Sequence, residues 1–403
     1  MRHVIVVDLG FGDCGKGTVV DFLCATREVH TVVRFNGGAQ AAHTVVLPDG
    51  RKHTFAQFGA GSLRPGVRTH LSRFMVVDPL SLVAEADHLI ALGVHDVWRR
   101  LSVDRAALIS TPYHREANRA KELARGVGRH GSCGMGVGET MAYALQYPDD
   151  APRAGDCASP AVLRRKLALL RHRLGVAGPP VEECLPAYEG FAATARLVDG
   201  FTPEGPCVFE GAQGVLLDEW HGFHPYTTWS TTTFANAEEL LGGAPAYRLG
   251  VLRTVTTRHG AGPLPTEDAS LGITDPNNPA NAWQGPFRVG HFDAPLHRYA
   301  LAACGGVDGL ALTHLDLGVR AMCRSYAADP LRVGPPGDLP RQEAMTRALS
   351  AVEPVYAQVT DWVDAVESSL GAPVVLESWG PTAADKVLKS PLSRTKPEPQ
   401  PAV

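Results

Sequence analysis

Residues 4–22 read VIVVDLGFGDCGKGTVVDF, and this stretch decides the fold. It begins with the β-branched run Ile5-Val6-Val7, which is typical of a strand buried on both faces. The glycines of residues 10–17 then form a loop whose backbone can approach a ligand closely. A helix is expected to follow over residues 18–24. Together these elements predict a phosphate cradle, because free N–H groups and the positive end of the helix dipole point at the anion.

The spacing from Gly10 to Lys16 fits the pattern GxxxxGK[ST], except that Gly17 takes the place of the serine or threonine. The hydroxyl of that residue normally binds Mg²⁺. Asp13, inside the loop, is the nearest hard oxygen ligand that the sequence offers instead. We therefore expect this loop to bind phosphate, with Lys16 neutralising the negative charge.

Strands and helices alternate in the first part of the chain. Residues 32–35 predict a second strand and residues 74–77 a third, and a helix is predicted from Pro79 to about Leu92. The spacing of apolar residues predicts one buried face on this helix, formed by Leu80, Leu82, Val83, Ala86 and Leu89. The alternation predicts an α/β, P-loop-like nucleotide-binding fold with a central, mainly parallel sheet flanked by helices. Ligands should gather beyond the C-terminal ends of its strands.

The pattern is less regular further along the chain. Residues 126–139 are rich in glycine and predict a mobile or ligand-binding loop, whereas residues 275–290 lack periodicity and predict a long loop. Residues 341–370 are predicted to be helical. Further strands are expected at residues 208–209, 249–255, 309–313 and 374–376. We expect residues 1–389 to form a single domain and the proline-rich residues 390–403 to form a disordered tail.

Composition argues against several functional classes. The 403 residues are 44% hydrophobic and 20% charged, as is ordinary for a globular protein with a large core. With a net charge of −4, the chain lacks the excess of positive charge that is typical of proteins that bind nucleic acid. No apolar stretch reaches the roughly 18–20 residues of a membrane helix, and the N-terminus leads straight into a strand, so we expect neither a membrane span nor a signal peptide. The eight scattered cysteines lack CxxC pairs, which favours a reduced, cytoplasmic protein without a zinc site.

Five motifs occur in the order found in one enzyme family. They are GDCGKG at 12–17, RFNGGAQAAHT at 34–44, FEGAQGVLLD at 209–218, GAGPLPTE at 260–267 and THLD at 313–316, with a weaker SWGP at 378–381. The sequence resembles the adenylosuccinate synthetase family, whose corresponding motifs include GDEGKG, FEGAQGTLLD, GAGPFPTE, TKLD and STGP. The matches span most of the chain.

This resemblance implies a GTP-dependent ligase. In that family the 6-oxygen of a purine nucleotide attacks the γ-phosphate of GTP, and the amine of an amino acid then displaces the phosphoryl group. By the resemblance, Asp13 is the catalytic base, His43 is the catalytic acid and Gln213 orients the 6-oxygen. Mg²⁺ would be bound by Asp13 and by the carbonyl of Ala42.

The resemblance also assigns two nucleotide sites. Residues expected at the triphosphate nucleotide, GTP or ATP, are Gly12, Gly15, Lys16, Gly17, Thr18, Thr44, His314, Asp316, Ser378 and Gly380. Residues expected at the purine monophosphate are Asp13, Lys16, Gln40, Ala41, Ser132, Cys133, Gln213 and Thr228. A homodimer is implied because an arginine of the family acts across the subunit interface. That arginine is absent near residues 147–150, and Arg153 aligns with a different position.

The largest departure lies in the stretch that binds the amino acid. Residues 280–293 align with a family segment in which three arginines and two threonines hold aspartate, but here Gly285 and Phe287 replace two arginines and Trp283 replaces a threonine. Arg288 is the arginine that remains. The amino-acid site is therefore expected at Trp283, Gly285, Phe287 and Arg288. Either the amine or nucleotide substrate differs, or arginines from elsewhere, such as Arg253 or Arg258, take over the role.

Two alternatives remain open from the sequence. One is the phage branch of the family, which uses dGMP and aspartate, but that branch replaces the catalytic aspartate by a smaller residue and Asp13 is present here. The other is a catalytically inactive nucleotide-binding regulator. Retention of Asp13, His43 and Gln213 together argues against the regulator.

Overall fold

The computed structural model describes residues 3–275, 278 and 283–392. Most of the predicted tail, and the aligned residues 280–282 of the amino-acid stretch, lie outside the described part. Leu392, in the first part of that tail, is buried in the core.

The helices of the described chain are α1 (Lys16–Thr26), α2 (Pro79–Ala91), α3 (Pro112–Arg125), α4 (Val137–Gln146), α5 (Pro160–Leu174), α6 (Val181–Thr194), α7 (Ala235–Leu241), α8 (Ala294–Ala303), α9 (Leu339–Leu349) and α10 (Trp362–Leu370). The strands are β1 (His3–Asp8), β2 (Thr31–Arg34), β3 (His43–Val46), β4 (Lys52–Phe55), β5 (Arg68–Leu71), β6 (Val76–Val77), β7 (Leu101–Asp104), β8 (Leu108–Ile109), β9 (Arg196–Val198), β10 (Cys207–Glu210), β11 (Ala246–Arg253), β12 (Val255–His259), β13 (Phe287–Asp293), β14 (Gly309–Thr313), β15 (Ala321–Tyr326), β16 (Pro354–Gln358), β17 (Val374–Ser378) and β18 (Lys386–Leu388).

A ten-stranded sheet forms the centre of the molecule, in the order β18-β17-β14-β11-β1-β10-β2-β5-β7-β9. Neighbouring strands run parallel except for the pair β17 and β18. Strand β1 lies in the middle, between β11 and β10, and all of its residues are buried. Val4 and Val6 join one hydrophobic cluster, whereas Ile5 and Val7 join the other. The predicted α/β fold with a central, mainly parallel sheet is confirmed, and β1 is buried on both faces.

Helix α2 begins where the sequence predicts, because the Asp78 side chain accepts a hydrogen bond from the Ser81 N–H at 3.2 Å and Pro79 fits the first turn. Its predicted face is only partly correct. Leu82, Ala86 and Leu89 are buried, but Leu80 is 37% and Val83 is 38% exposed. The buried residues follow an i, i+4, i+7 line, and the other two lie to its outer side.

Three further predictions are wrong in detail. The third parallel strand is β5 beside β2, while Val76–Val77 lies outside the central sheet and pairs with β8. The predicted helix over 341–370 is two helices separated by β16, which pairs with β15. The predicted loop over 275–290 ends earlier, at β13, which pairs with β12. In each case pairing with a distant strand, which local periodicity does not report, overrides the local pattern.

The loops that follow the central strands gather at one edge. Strands β17, β14, β11, β1, β10 and β2 are consecutive neighbours, and their C-terminal ends are followed by the sequence motifs described above. A second sheet, β12-β13-β15-β16, lies after β11 in the chain, and the hairpin β3–β4 carries His43. In the part of the chain that the structure describes, no helix combines the length and apolarity needed to cross a lipid bilayer.

Candidate active site

A cavity of about 1180 Å³ lies at this edge of the central sheet. Its lining includes all of the residues expected at catalysis, at the two nucleotides or at the metal: Gly12, Asp13, Gly15, Lys16, Gly17, Thr18, Gln40, Ala41, Ala42, His43, Thr44, Ser132, Cys133, Gln213, Thr228, His314, Asp316, Ser378 and Gly380. Residues far apart in sequence thus meet around one space that is large enough for nucleotide-sized ligands.

Backbone conformation singles out three positions in this lining. Among the described non-glycine residues, positive φ angles occur at Asp13 (63°), Gln213 (60°) and His314 (58°). All three line the cavity. Left-handed backbone is unfavourable for such residues and persists where the surrounding structure enforces it, typically at functional sites.

Asp8, a residue that sequence reasoning missed, organises the loop over residues 10–17. Its buried carboxylate accepts hydrogen bonds from the N–H groups of Gly10 (2.8 Å) and Cys14 (2.9 Å) and from Lys16 Nζ (2.9 Å). Burial alone would raise the pKa of Asp8, but Lys16 and the N–H donors outweigh it and hold the pKa below its usual range. Lys16 is therefore fixed beneath the loop. The sequence feature that could have identified Asp8 is an aspartate at the end of a buried strand.

Close packing explains why Gly17 replaces the expected serine or threonine. A Cβ atom at Gly17 would lie 2.7 Å from Cβ of His43. The first turn of α1 thus packs directly on the start of β3, and this contact brings His43 to the glycine loop. A side chain at position 17 would push His43 away.

His43 is held by Glu210, which sequence reasoning also missed although it lies within the FEGAQG motif. Nδ1 of His43 lies 2.6 Å from Oε1 of Glu210, whose other oxygen accepts a hydrogen bond from the Ala60 N–H at 2.9 Å. Burial lowers the pKa of His43 to about 4, although the Glu210 carboxylate opposes this shift. Because Nδ1 is occupied by Glu210, Nε2 is the ring nitrogen left to act on a ligand in the cavity.

The Asp13 carboxyl group is buried and also lies near positively charged side chains. Burial raises the pKa of its carboxyl group, and His259, Lys16 and Arg253 oppose the shift. His259 Nε2 is 3.8 Å from Oδ2 of Asp13, and Arg253 Nη1 donates to the Asp13 carbonyl at 3.0 Å. A carboxylate in such a site is suited to accept a proton from a ligand. His259 was not predicted from the sequence.

Several buried polar atoms in the lining lack a partner. Oε1 of Gln213, Oε1 of Gln40 and Nε of Arg253 have no hydrogen-bond partner among the described residues. All three side chains line the cavity. Buried polar groups are nearly always satisfied in native proteins, so these atoms mark positions where a polar ligand fits.

A helix face that was not predicted completes the cavity. Asn118, Lys121, Glu122 and Arg125 of α3 all line it, at the i, i+3, i+4, i+7 spacing of one helical face. Lys121 Nζ pairs with Oε2 of Glu139 at 2.6 Å, and Arg125 pairs with Glu122. This spacing of polar residues is visible in the sequence and could have predicted a polar face on α3.

The four residues expected at the amino acid lie elsewhere. Of the described residues that line the cavity, none is Trp283, Gly285, Phe287 or Arg288. Arg288 donates through Nε to Glu267 and through Nη1 to the carbonyls of Gly260 and Gly262, each at 2.9 Å. The ring of Phe287 packs on His259, with 5.1 Å between ring centroids. Trp283 lies under the guanidinium of Arg119, at 5.4 Å.

The chain matches one protein family over most of its length. The family model described as adenylosuccinate synthetase matches residues 5–372. The chain is 33% identical over 401 residues to the adenylosuccinate synthetase of Desulforamulus reducens, covering 91% of this chain and 89% of that protein. It is 30% identical over 430 residues to the enzyme of that name from Neisseria gonorrhoeae, covering 96% and 98%.

Two solved structures share the fold. The fully ligated adenylosuccinate synthetase of Plasmodium falciparum superposes with a TM-score of 0.82 at 22% identity, covering 97% of this chain and 100% of that chain. The cyanophage S-2L succinoaminodeoxyadenylate synthetase, bound to dGMP and to dATP as an energy donor, gives a TM-score of 0.65 at 21% identity, covering 97% and 96%. From the match over most of its length, the chain belongs to the adenylosuccinate synthetase family and is a ligase.

Proposed function

We propose that the protein uses GTP to phosphorylate the 6-oxygen of an IMP-like purine nucleotide and then joins an amino-acid amine to that carbon. The observation that carries this proposal is the meeting of Asp13, His43 and Gln213 on one cavity, two of them with enforced left-handed backbone. A carboxylate, an imidazole and an amide in one enclosed space suit proton transfer and phosphoryl transfer on a heterocycle.

In the first step Asp13 accepts the N1 proton of the purine while O6 attacks the γ-phosphate and the bond to GDP breaks. Lys16, fixed by Asp8, neutralises charge on the phosphates. The negative charge of the bound phosphates favours protonated His43, in which Nδ1 donates to Glu210 and Nε2 donates to the moving oxygen. The Gln213 amide, whose oxygen has no partner among the described residues, orients the base.

In the second step the amine nitrogen attacks C6, the C6–O bond breaks and inorganic phosphate leaves, while the nitrogen loses its proton. The phosphorylated nucleotide would hydrolyse if water reached it, so the cavity must close around the ligands. The cavity lies beyond the strand ends with its walls formed by loops and by helices such as α3, and loops are the elements that commonly close over ligands.

The residues present fit Mg²⁺ bound through the nucleotide. Among the described residues, no cluster of three His, Cys, Asp or Glu side chains could hold a metal by itself. Mg²⁺ commonly takes one or two protein ligands and completes its shell with phosphates and water. Asp13 and the Ala42 carbonyl, both in the lining, would be those ligands. The bound ion would supply positive charge at the transferred phosphoryl group.

The remaining assignments belong to the same proposal. Asp316 would accept hydrogen bonds from a guanine base, and Thr228, Ser132 and Cys133 would contact the monophosphate, since all four line the cavity. We also propose that the protein is a cytoplasmic homodimer and that residues 1–389 form one domain, as the family resemblance implies.

The test is turnover by the purified full chain. GTP or ATP, Mg²⁺ and IMP or dGMP are combined with each of a panel of amino acids, and nucleoside diphosphate, phosphate and the mass of the new nucleotide are measured. We expect product with GTP and IMP, and loss of product when EDTA removes the metal. Nucleotide binding without any turnover would refute the proposal and favour the regulator. Turnover of dGMP in preference to IMP would place the protein with the phage branch.

A further inference from the structure

Next to Asp13, the cavity is lined by an imidazole, and an aromatic ring packs against that imidazole from outside the lining. His259, at the end of β12, pairs in register with Phe287, the first residue of β13. The two rings meet edge to face, with centroids 5.1 Å apart. The His259 side chain is only 11% exposed, and its Nε2 lies 3.8 Å from Oδ2 of Asp13. Its other nitrogen, Nδ1, is buried and has no hydrogen-bond partner among the described residues.

Few cations near this imidazole are free to bind a dicarboxylic acid. Phe287 occupies one aligned arginine position, and Arg288 next to it is committed to Glu267 and to two backbone carbonyls. These contacts tie Arg288 to the loop that follows β12. Arg288 is outside the lining formed by the described residues, and its guanidinium is engaged by these contacts.

Other cations in the lining are also engaged. Lys16, held by Asp8, is assigned to the nucleotide phosphates in the proposed function, while Lys121 pairs with Glu139 and Arg125 with Glu122. Arg258 donates to the backbone carbonyls of Ala261, Pro263 and Tyr226.

Arg253 is the lining cation with a buried nitrogen, Nε, that lacks a partner among the described residues. The undescribed residues between 276 and 282 contain no lysine or arginine in the sequence. Carboxylates are recognised most strongly by charge-assisted, often bidentate hydrogen bonds from arginine. One partly engaged guanidinium can serve one carboxylate, and two carboxylates on the same substrate would leave one without a cation.

We propose that the amine substrate carries at most one carboxylate and that His259, backed by Phe287, contacts it beside Asp13. The substrate class is thus a monocarboxylic amino acid or a simple amine, and His259 is a specificity-determining residue. This inference rests on the proposed function, because it concerns the amine that enters in the second step. An imidazole nitrogen supplies a hydrogen bond without the fixed charge of an arginine, and the Phe287 ring packs against the imidazole and helps to hold it in place.

The first test uses the unmodified protein, so no variant needs to fold. Product formation with GTP, Mg²⁺ and IMP is measured for aspartate, glutamate, glycine, alanine, leucine and methylamine, at equal concentrations. We expect kcat/KM for the preferred monocarboxylic or uncharged amine to exceed that for aspartate at least tenfold. If aspartate or glutamate is preferred, this inference is overturned while the proposed ligase activity stands. If no amine gives product, the proposed function itself fails, and the inference fails with it.

The second test asks whether His259 contacts the amine. His259→Gln is compared with His95→Gln, a control at an exposed histidine outside the cavity lining. We expect His259→Gln to raise KM for the preferred amine at least fivefold while KM for GTP changes less than twofold. We expect Phe287→Arg to improve kcat/KM for aspartate relative to the preferred amine. An unchanged KM for the amine in His259→Gln, in a protein with an unaltered melting temperature, would overturn the assigned contact.

Discussion

The loop around Asp13 and the stretch around Arg288 both carry charged residues of the family pattern, yet they use them in opposite ways. In the first region, buried acids hold the charged groups from beneath: Asp8 holds Lys16 and Glu210 holds His43. The held groups still line the cavity. In the second region, Glu267 and two backbone carbonyls hold Arg288, and the guanidinium serves to fix a loop.

The difference shows that a motif residue is available to a ligand only when its partner lies on the far side from that ligand. Asp8 and Glu210 are at the ends of central strands, below the cavity, so they position the groups above them. Glu267 lies in the loop after β12, where its side chain is 43% exposed, and it draws Arg288 aside. Each prediction below tests one side of this contrast.

The largest effect is expected from Asp13→Asn. The amide keeps the size of the side chain but cannot accept the N1 proton, so the rate of GDP formation with IMP should fall by about 10³-fold, within the range for a lost general base. The rate is measured at saturating nucleotide, with Asp49→Asn as a control because Asp49 is exposed and outside the cavity lining. A rate within tenfold of the unmodified protein would contradict the role assigned to Asp13.

Asp8→Asn should produce the largest loss of stability. It leaves the Lys16 ammonium buried without a counter-charge, which costs about 3–5 kcal/mol of unfolding free energy. Because Lys16 and the N–H donors hold the pKa of Asp8 below its unfolded value, the stabilisation is present above the unfolded pKa and is lost as pH falls through the folded pKa. Urea unfolding at several pH values should therefore show a weaker acid dependence in the variant. An unchanged acid dependence would show that Asp8 is not the anchor of the loop.

Glu210→Gln tests the second buried acid. The amide can still contact Nδ1 of His43 but lacks the charge that raises the pKa of His43, so the ring becomes harder to protonate. We expect kcat to fall by about 10²-fold, near the lower end for lost acid–base catalysis. The decline of kcat at higher pH should also move to lower pH, because the protonated ring is then lost sooner. A uniform loss of activity at every pH would instead indicate a structural role for Glu210.

Gly17→Ser tests why the loop departs from its pattern. The new Cβ would clash with His43, so the variant should lose about 1–3 kcal/mol of stability and also lose activity, although it restores the consensus hydroxyl. Gly190→Ala is the matched control, because a Cβ there meets no atom within 4 Å in the interior of α6. The control should be neutral or slightly stabilising. A gain of activity in Gly17→Ser would contradict the packing argument.

The sequence predicted the lining well because each motif follows a strand end. The run Ile5-Val6-Val7 predicts β1, and parallel strands place the loops that follow them at one edge, so the loops at 10–17 and 36–44 were expected there, while the family resemblance added Gln213 and His314. The left-handed backbone at Asp13, Gln213 and His314 was not predictable, because it is enforced by contacts between separate loops.

What the sequence could not predict depends on pairing between distant segments. Asp8 and Glu210 read as ordinary strand-end residues, because the groups that they hold lie on other parts of the chain. The contact between His259 and Phe287 follows from the register of β12 with β13, which the apparent loop over 275–290 concealed. Likewise, β16 interrupts a helical pattern only because β15 is there to pair with it.

The smallest effect is expected from Arg288→Ala, and it separates the two regions most directly. If Arg288 fixes the loop after β12, its removal should cost about 1–2 kcal/mol of stability, mainly from the two lost hydrogen bonds to backbone carbonyls. The ion pair with Glu267 is partly exposed and should contribute little to that loss. KM for the amine should change less than about tenfold. If Arg288 instead binds a substrate carboxylate, as the alignment implies, KM should rise by about 10²-fold, because charged hydrogen bonds contribute about 1.5–3 kcal/mol each.

Glu267→Gln distinguishes the two roles of Arg288 further. If the arginine is structural, the variant weakens the pair and should lower the stability of the protein slightly. If the arginine served the substrate, the variant would free Arg288 and improve binding of the amine.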